Sequence, residues 1–169
     1  MILTGNEIYK NVKNGKIIIE PFSPEQINPN SYNYRLGDTL LFKKDDGNFE
    51  EIKLPEDGYV IEPHRTYLGC TYETLGSSSY SMSLIGRSSL GRLGLFLTVS
   101  ANLGHIGSVH KWTLEIVSAK PFKLYPFMKI GQISFWCNFG EPNLYIDGYS
   151  KYSHPHLSKF EGKYDINRK

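Results

Sequence analysis

A chain of 169 residues with 40% hydrophobic and 14% aromatic content supports one globular domain with a real core and leaves little for a second. Acids and bases are spread along it and nearly balance, for a formal net charge of +2, which argues against a binder of long nucleic acid and leaves room for a small anionic substrate. Cys70 and Cys137 lie far apart and form no C-x-x-C pair, so neither a disulfide framework nor a zinc ribbon is indicated, and both read as buried thiols in a reducing compartment. No basic, apolar leader opens the sequence and no stretch is apolar enough to span a bilayer, so the protein is expected to be cytoplasmic.

In chain order, Thr4 followed by Glu7 forms a capping-box pattern, predicting a short helix to about Lys13 that Asn14-Gly15 closes. From Lys16 the pattern changes to short β-branched or aromatic runs: Ile17–Ile19, Tyr32–Leu36, Tyr59–Ile61, Tyr67–Tyr72, Trp112–Val117 and Gln132–Phe135. Turn formers such as Asp46-Gly47-Asn48 and Pro55-Glu56-Asp57-Gly58 separate them. This spacing predicts an all-β sandwich or barrel, with no internal repeat. From about Gly140 the chain is rich in Gly, Tyr, His, Ser and Lys without periodicity, and reads as a tail able to close over a site.

The most informative stretch is Gly86-Arg87-Ser88-Ser89-Leu90-Gly91-Arg92-Leu93-Gly94-Leu95, which follows the strand-like run Tyr80–Ile85. A glycine, an arginine and two hydroxyls at a strand-to-helix turn offer backbone N–H groups, hydroxyl donors and a guanidinium to a phosphate chain. If the turn is helical, Ser88 and Arg92 share a face and can meet one ligand. By local chemistry alone, a solvated helix cap explains the same residues equally well. In the strand Trp112–Val117, alternation places Trp112, Leu114 and Ile116 on one face and Thr113, Glu115 and Val117 on the other. A mid-strand carboxylate is costly to bury unpaired, so Glu115 alone would read as exposed or salt-bridged.

The decamer resembles the G-R-S-S-x-x-R-L-G-L motif of deaminase members of the dCTP deaminase/dUTPase family, and matches it throughout. Ile27 to Gly37, ending Arg35-Leu36-Gly37, is similar to that family's R-L-G strand; Thr113-Leu114-Glu115-Ile116 falls where its deaminases carry a Leu-Glu pair. Pro126 to Ile133 resembles their P-G-x-x-I-x-Q turn and strand. The resemblance covers Met1 to about Tyr152. It implies a single domain over residues 1–169, with 140–169 as a closing tail. The implied fold is a distorted, jelly-roll-like β-barrel of dUTPase type with a short N-terminal helix and a helical turn after the GRSS motif.

The implied activity is deamination of dCTP to dUTP and ammonia, in a homotrimer with sites between subunits. The resemblance makes Glu115 the general base, sets Ser88 and the carbonyl of Ala101 around the attacking water, and puts Arg92 beside the carboxylate. Arg87, Ser88 and Ser89 would hold the phosphates, with Mg²⁺ bound through phosphate oxygens rather than by protein. Tyr145 and Lys151 in the tail would reach sugar and phosphates, although a solvated Tyr/Lys-rich end explains them as well. The H-x-E and P-C-x-x-C signatures of zinc deaminases are missing, so no zinc is expected; His154-x-His156 could hold a metal only adventitiously. dTTP is a candidate inhibitor.

Three departures stand out. Asn33 replaces the family's usual Asp, and is either a lost charge near the site or a structural residue. Tyr152 to Ser158 replaces the usual glutamine-rich tail motif. After Ala101, the family's D-P-G turn reads His105-Ile106-Gly107, taken here as loss of an acid with no new catalytic role, with a functional histidine as the alternative; the first reading predicts a triphosphate product. The alternatives are a dUTP diphosphatase or a bifunctional enzyme giving dUMP, and a nucleotide-binding member without turnover.

Overall fold

The computed structural model describes residues 1–98, 100–145 and 153–157. Helix α1 (Gly5–Lys13) starts where Thr4 accepts the Glu7 N–H at 3.4 Å and ends at Asn14, with Gly15 at φ +69° turning the chain. Glu7 does not complete the reciprocal half of the capping box; its carboxylate pairs with Lys10 at 2.6 Å.

Strands follow as β1 (Ile17–Glu20), β2 (Tyr32–Arg35), β3 (Thr39–Lys43), β4 (Phe49–Lys53), β5 (Tyr59–Ile61), β6 (Tyr67–Cys70), β7 (Thr74–Ser77) and β8 (Ser81–Gly86). A 3₁₀ turn at Pro24–Gln26 separates the first two. The one-turn helix α2 (Ser88–Gly91) precedes β9 (Leu95–Leu97), β10 (Leu103–Gly104), β11 (Val109–His110), β12 (Thr113–Ser118), β13 (Phe122–Leu124) and β14 (Lys129–Trp136). These pair antiparallel in four sheets, ordered β1-β7-β11, β10-β8-β14-β2, β4-β3-β6-β12-β9 and β13-β5. The fold is all-β with a short N-terminal helix and a helical turn after the GRSS motif. Among the described residues, no helix is long and apolar enough to cross a membrane.

Alternation places the core. Tyr32 and Tyr34 of β2, Met82 and Leu84 of β8, Leu114 and Ile116 of β12, and Ile133 and Phe135 of β14 are buried together. Trp112 does not extend β12 as its sequence pattern predicts. Its backbone N–H donates to Thr71 Oγ1 and its indole N–H to the Leu75 carbonyl, each at 2.9 Å, so side-chain anchoring takes it out of the ladder. Glu73 is sealed in the interior, with no exposure. It accepts from the backbone N–H and Nε of Arg35, at 2.8 and 2.7 Å, and from Gln26 Nε2 at 3.3 Å. Arg35 in turn lies over the Tyr72 ring, 4.7 Å from its centroid.

Candidate active site

The central sheet positions the site. Within the order β4-β3-β6-β12-β9, Leu41 of β3 stands opposite Leu68 of β6, and Leu68 stands opposite Glu115 of β12. Residues directly opposite in a ladder point to one side of the sheet, so these three form a row. Leu114 and Ile116 point the other way into the core with no exposure, which leaves Glu115 half-buried on the outer face. That face floors a cavity of about 600 Å³. Its lining includes Leu41, Lys43, Leu68, Thr113 and Glu115 from the sheet, and Ala101, His105, His110 and Trp112 from the β9–β12 connections. Tyr145, His156 and Leu157 from the C-terminal segment also line it, and Thr113 Oγ1 donates to the His154 carbonyl at 3.5 Å.

Backbone contacts hold the base strand in place. The carbonyl of Glu115 accepts the Thr98 N–H at 2.9 Å. Thr98 lies at φ +46°, in the left-handed region that a β-branched residue seldom adopts, and its buried hydroxyl has no hydrogen-bond partner. Such strain, typically about 1–3 kcal/mol, is concentrated at functional sites, and here it sits at the segment leading to Ala101.

Of the residues singled out from sequence, Glu115, Ala101 and Tyr145 come together around this cavity, and His105 joins them. Arg87, Ser88, Ser89 and Arg92 do not line it. Ser88 and Ser89 sit on α2 and Arg87 and Arg92 cap its two ends; Arg92 N–H donates to the Ser88 carbonyl at 3.1 Å, the i to i+4 relation expected of a shared face. Ser88, Ser89 and Arg92 are exposed, and the hydrogen bond of Arg87 to the Lys129 carbonyl spans 3.1 Å. Within one chain, then, the phosphate-type donors are not among the residues that line the carboxylate's cavity. Lys151 lies outside the described residues. Asn33 is bound into local structure: its amide donates to Asn28 Oδ1 at 3.2 Å, and its carbonyl accepts Gln26 Nε2 at 2.6 Å.

Sequence reasoning passed over His110 and Lys43, which line the cavity. His110 stacks on Trp112 with ring centroids 4.3 Å apart. A lone histidine ending a two-residue strand carries no pattern, and neither residue had a signal in sequence. Cys137 is exposed, against the expectation of burial, because it follows the end of β14; Cys70 is buried, and burial pushes its thiol pKa up.

Comparison with known proteins bears on the family and the fold. The family described as dCTP deaminase-like matches residues 2–137. A Clostridium beijerinckii protein named "dCTP deaminase, dUMP-forming" is 47% identical over 155 residues, covering 88% of this chain and 89% of the relative. One of the same name from Clostridium acetobutylicum is 39% identical over 175 residues, covering 99% and 92%. A Rhodopirellula baltica protein named "dCTP deaminase" is 40% identical over 144 residues, covering 80% and 72%. In three dimensions the chain is similar to the crystal structure of 2'-deoxycytidine 5'-triphosphate deaminase from Agrobacterium tumefaciens, with a TM-score of 0.67 and 24% identity. That likeness covers 81% of this chain and 48% of the other, about half its length, and concerns the fold. With the family matched over most of its length, the chain belongs to the dCTP deaminase-like family.

Proposed function

We propose that the protein converts dCTP to dUMP by two hydrolyses, deamination at C4 of cytosine and cleavage between the α- and β-phosphates. The observation that carries the reading is Glu115, mid-strand and half-buried, facing a cavity that also holds Ala101, in a chain of this family. Glu115 takes a proton from the water that attacks C4, so the oxygen adds to the ring carbon, and ammonia then leaves from the tetrahedral adduct. Several relatives are named "dUMP-forming", which favours the bifunctional alternative over the triphosphate product expected from the His105 turn.

The substrate's phosphates fall to Arg87, Ser88, Ser89 and Arg92 of α2, whose hydroxyls and guanidinium groups match phosphate oxygens. Because α2 does not line the Glu115 cavity of its own chain, these donors are supplied by another copy in a homotrimer. Mg²⁺ arrives with the triphosphate, since it prefers phosphate and water oxygens to a protein cage. Tyr145 contacts the sugar; its half-buried position beside His105 on the cavity supports that role.

Incubating the purified protein with dCTP and separating nucleotides by ion exchange tests the reading. dUMP and ammonia are expected. Accumulating dUTP would restore the single-activity reading, and unchanged dCTP would leave a nucleotide-binding member without turnover.

A further inference from the structure

Three histidines line the cavity beside Glu115, and they are held differently. His110 is 7% exposed, packed flat on Trp112, with Nδ1 2.8 Å from the Lys111 carbonyl. It forms part of the wall. His156 sits in the C-terminal segment, with Nδ1 2.7 Å from the Leu157 carbonyl. His105 is exposed and opens a tight turn in which its carbonyl accepts the Ser108 N–H at 3.2 Å.

That turn is fixed on both sides. Gly107, at φ +94°, donates its N–H to the Ser77 carbonyl at 2.8 Å, and the Ile106 carbonyl accepts the Tyr145 N–H at 2.8 Å. A side chain at Gly107 would meet the strain of that φ and the Leu144–Tyr145 backbone at about 3.0 Å. The same pairing brings the Tyr145 ring to 5.3 Å from the His105 imidazole, tilted by 43°. The backbone is thus held and the ring flanked, on a residue that is exposed.

The two reacting atoms of the proposed conversion, C4 and the α-phosphorus, are separated by a pyrimidine and a deoxyribose. One carboxylate fixed on a strand does not come within hydrogen-bond reach of water at both. Resting on the dUMP reading, we infer that His105 is the base of the second hydrolysis. It accepts a proton from the water whose oxygen bonds to the α-phosphorus. The bond from that phosphorus to the oxygen bridging to the β-phosphate breaks, and its electron pair leaves with pyrophosphate. The imidazolium then returns its proton to solvent. A neutral imidazole carries the lone pair this step requires.

The test compares wild type, His105→Ala and His105→Asp on dCTP, measuring dUMP and ammonia in the same reaction. In His105→Ala the ratio of dUMP to ammonia is expected to fall by at least about a hundredfold, with dUTP accumulating. Added imidazole, or Asp at this position, is expected to raise the ratio again. An unchanged ratio in His105→Ala overturns the assignment. So does a ratio that neither imidazole nor Asp restores, since His105 would then act through structure. If wild type itself stops at dUTP, the dUMP reading has failed; if wild type and His105→Ala both yield dUMP, only the role of His105 has failed.

Discussion

Replacing Glu73 by Gln should be among the most damaging changes outside the cavity. The carboxylate has no exposure and accepts three N–H donors, two from Arg35 and one from Gln26. An amide keeps one oxygen, and its NH₂ must face a donor in either orientation: the Arg35 backbone N–H in one, Arg35 Nε and Gln26 in the other. Breaking a buried pair from one side costs about 3–5 kcal/mol, because the remaining charge is left uncompensated. The Arg35 side chain retains 24% exposure and its place over Tyr72, which moves the expectation to the lower end, about 3 kcal/mol. For a chain of this size that corresponds to a fall in Tm of about 6–12 °C. Thermal unfolding followed by circular dichroism, at fixed protein concentration, reads it directly. A loss under about 1 kcal/mol in Glu73→Gln would refute the reasoning.

Gly131→Ala should be similarly costly, because a Cβ on β14 would lie 2.1 Å from the ring and hydroxyl of Tyr34. That ring is fully buried, with its hydroxyl donating to the Ile85 carbonyl at 3.2 Å, so it has nowhere to retreat; about 3 kcal/mol, read from urea unfolding, is expected. The separation of α2 from the Glu115 cavity predicts that subunits complement one another. Arg92→Ala and Glu115→Gln proteins, each inactive, should on co-refolding recover activity at about a quarter of sites, as random mixing in a ring gives. Arg92→Lys in place of Arg92→Ala should also be impaired, since an ammonium lacks the forked donor geometry. Absence of any recovery, from proteins shown to mix, would place both residues in one chain's site.

Sequence patterns carried the elements whose signals are local. Thr4 and Asn14-Gly15 bracket α1 with side-chain and turn chemistry, and the alternation through Leu114, Glu115 and Ile116 shows on the strand as burial on one face. The short strands β9, β10 and β11 were not legible, because two or three residues hold no period and their pairing is decided by partners elsewhere. Glu73 carried no signal either: in Tyr72-Glu73-Thr74 nothing marks a core residue, and its partner Arg35 lies 38 positions away. The decamer identified the donors at α2 but not that they stand outside the lining of the Glu115 cavity. His105 was visible as a departure from the family turn. Its place beside Tyr145 came only with the Ile106–Tyr145 pairing, made by chain far downstream.

The central claim is that Glu115 activates the water that removes the cytosine amino group, and ammonia release from dCTP by Glu115→Gln tests it most directly. The substitution keeps the side chain's shape on β12 and removes the base. Ammonia release should fall by at least about a hundredfold, the lower range for loss of a general base, while nucleotide binding measured by calorimetry persists. Release near the wild-type rate would contradict the account.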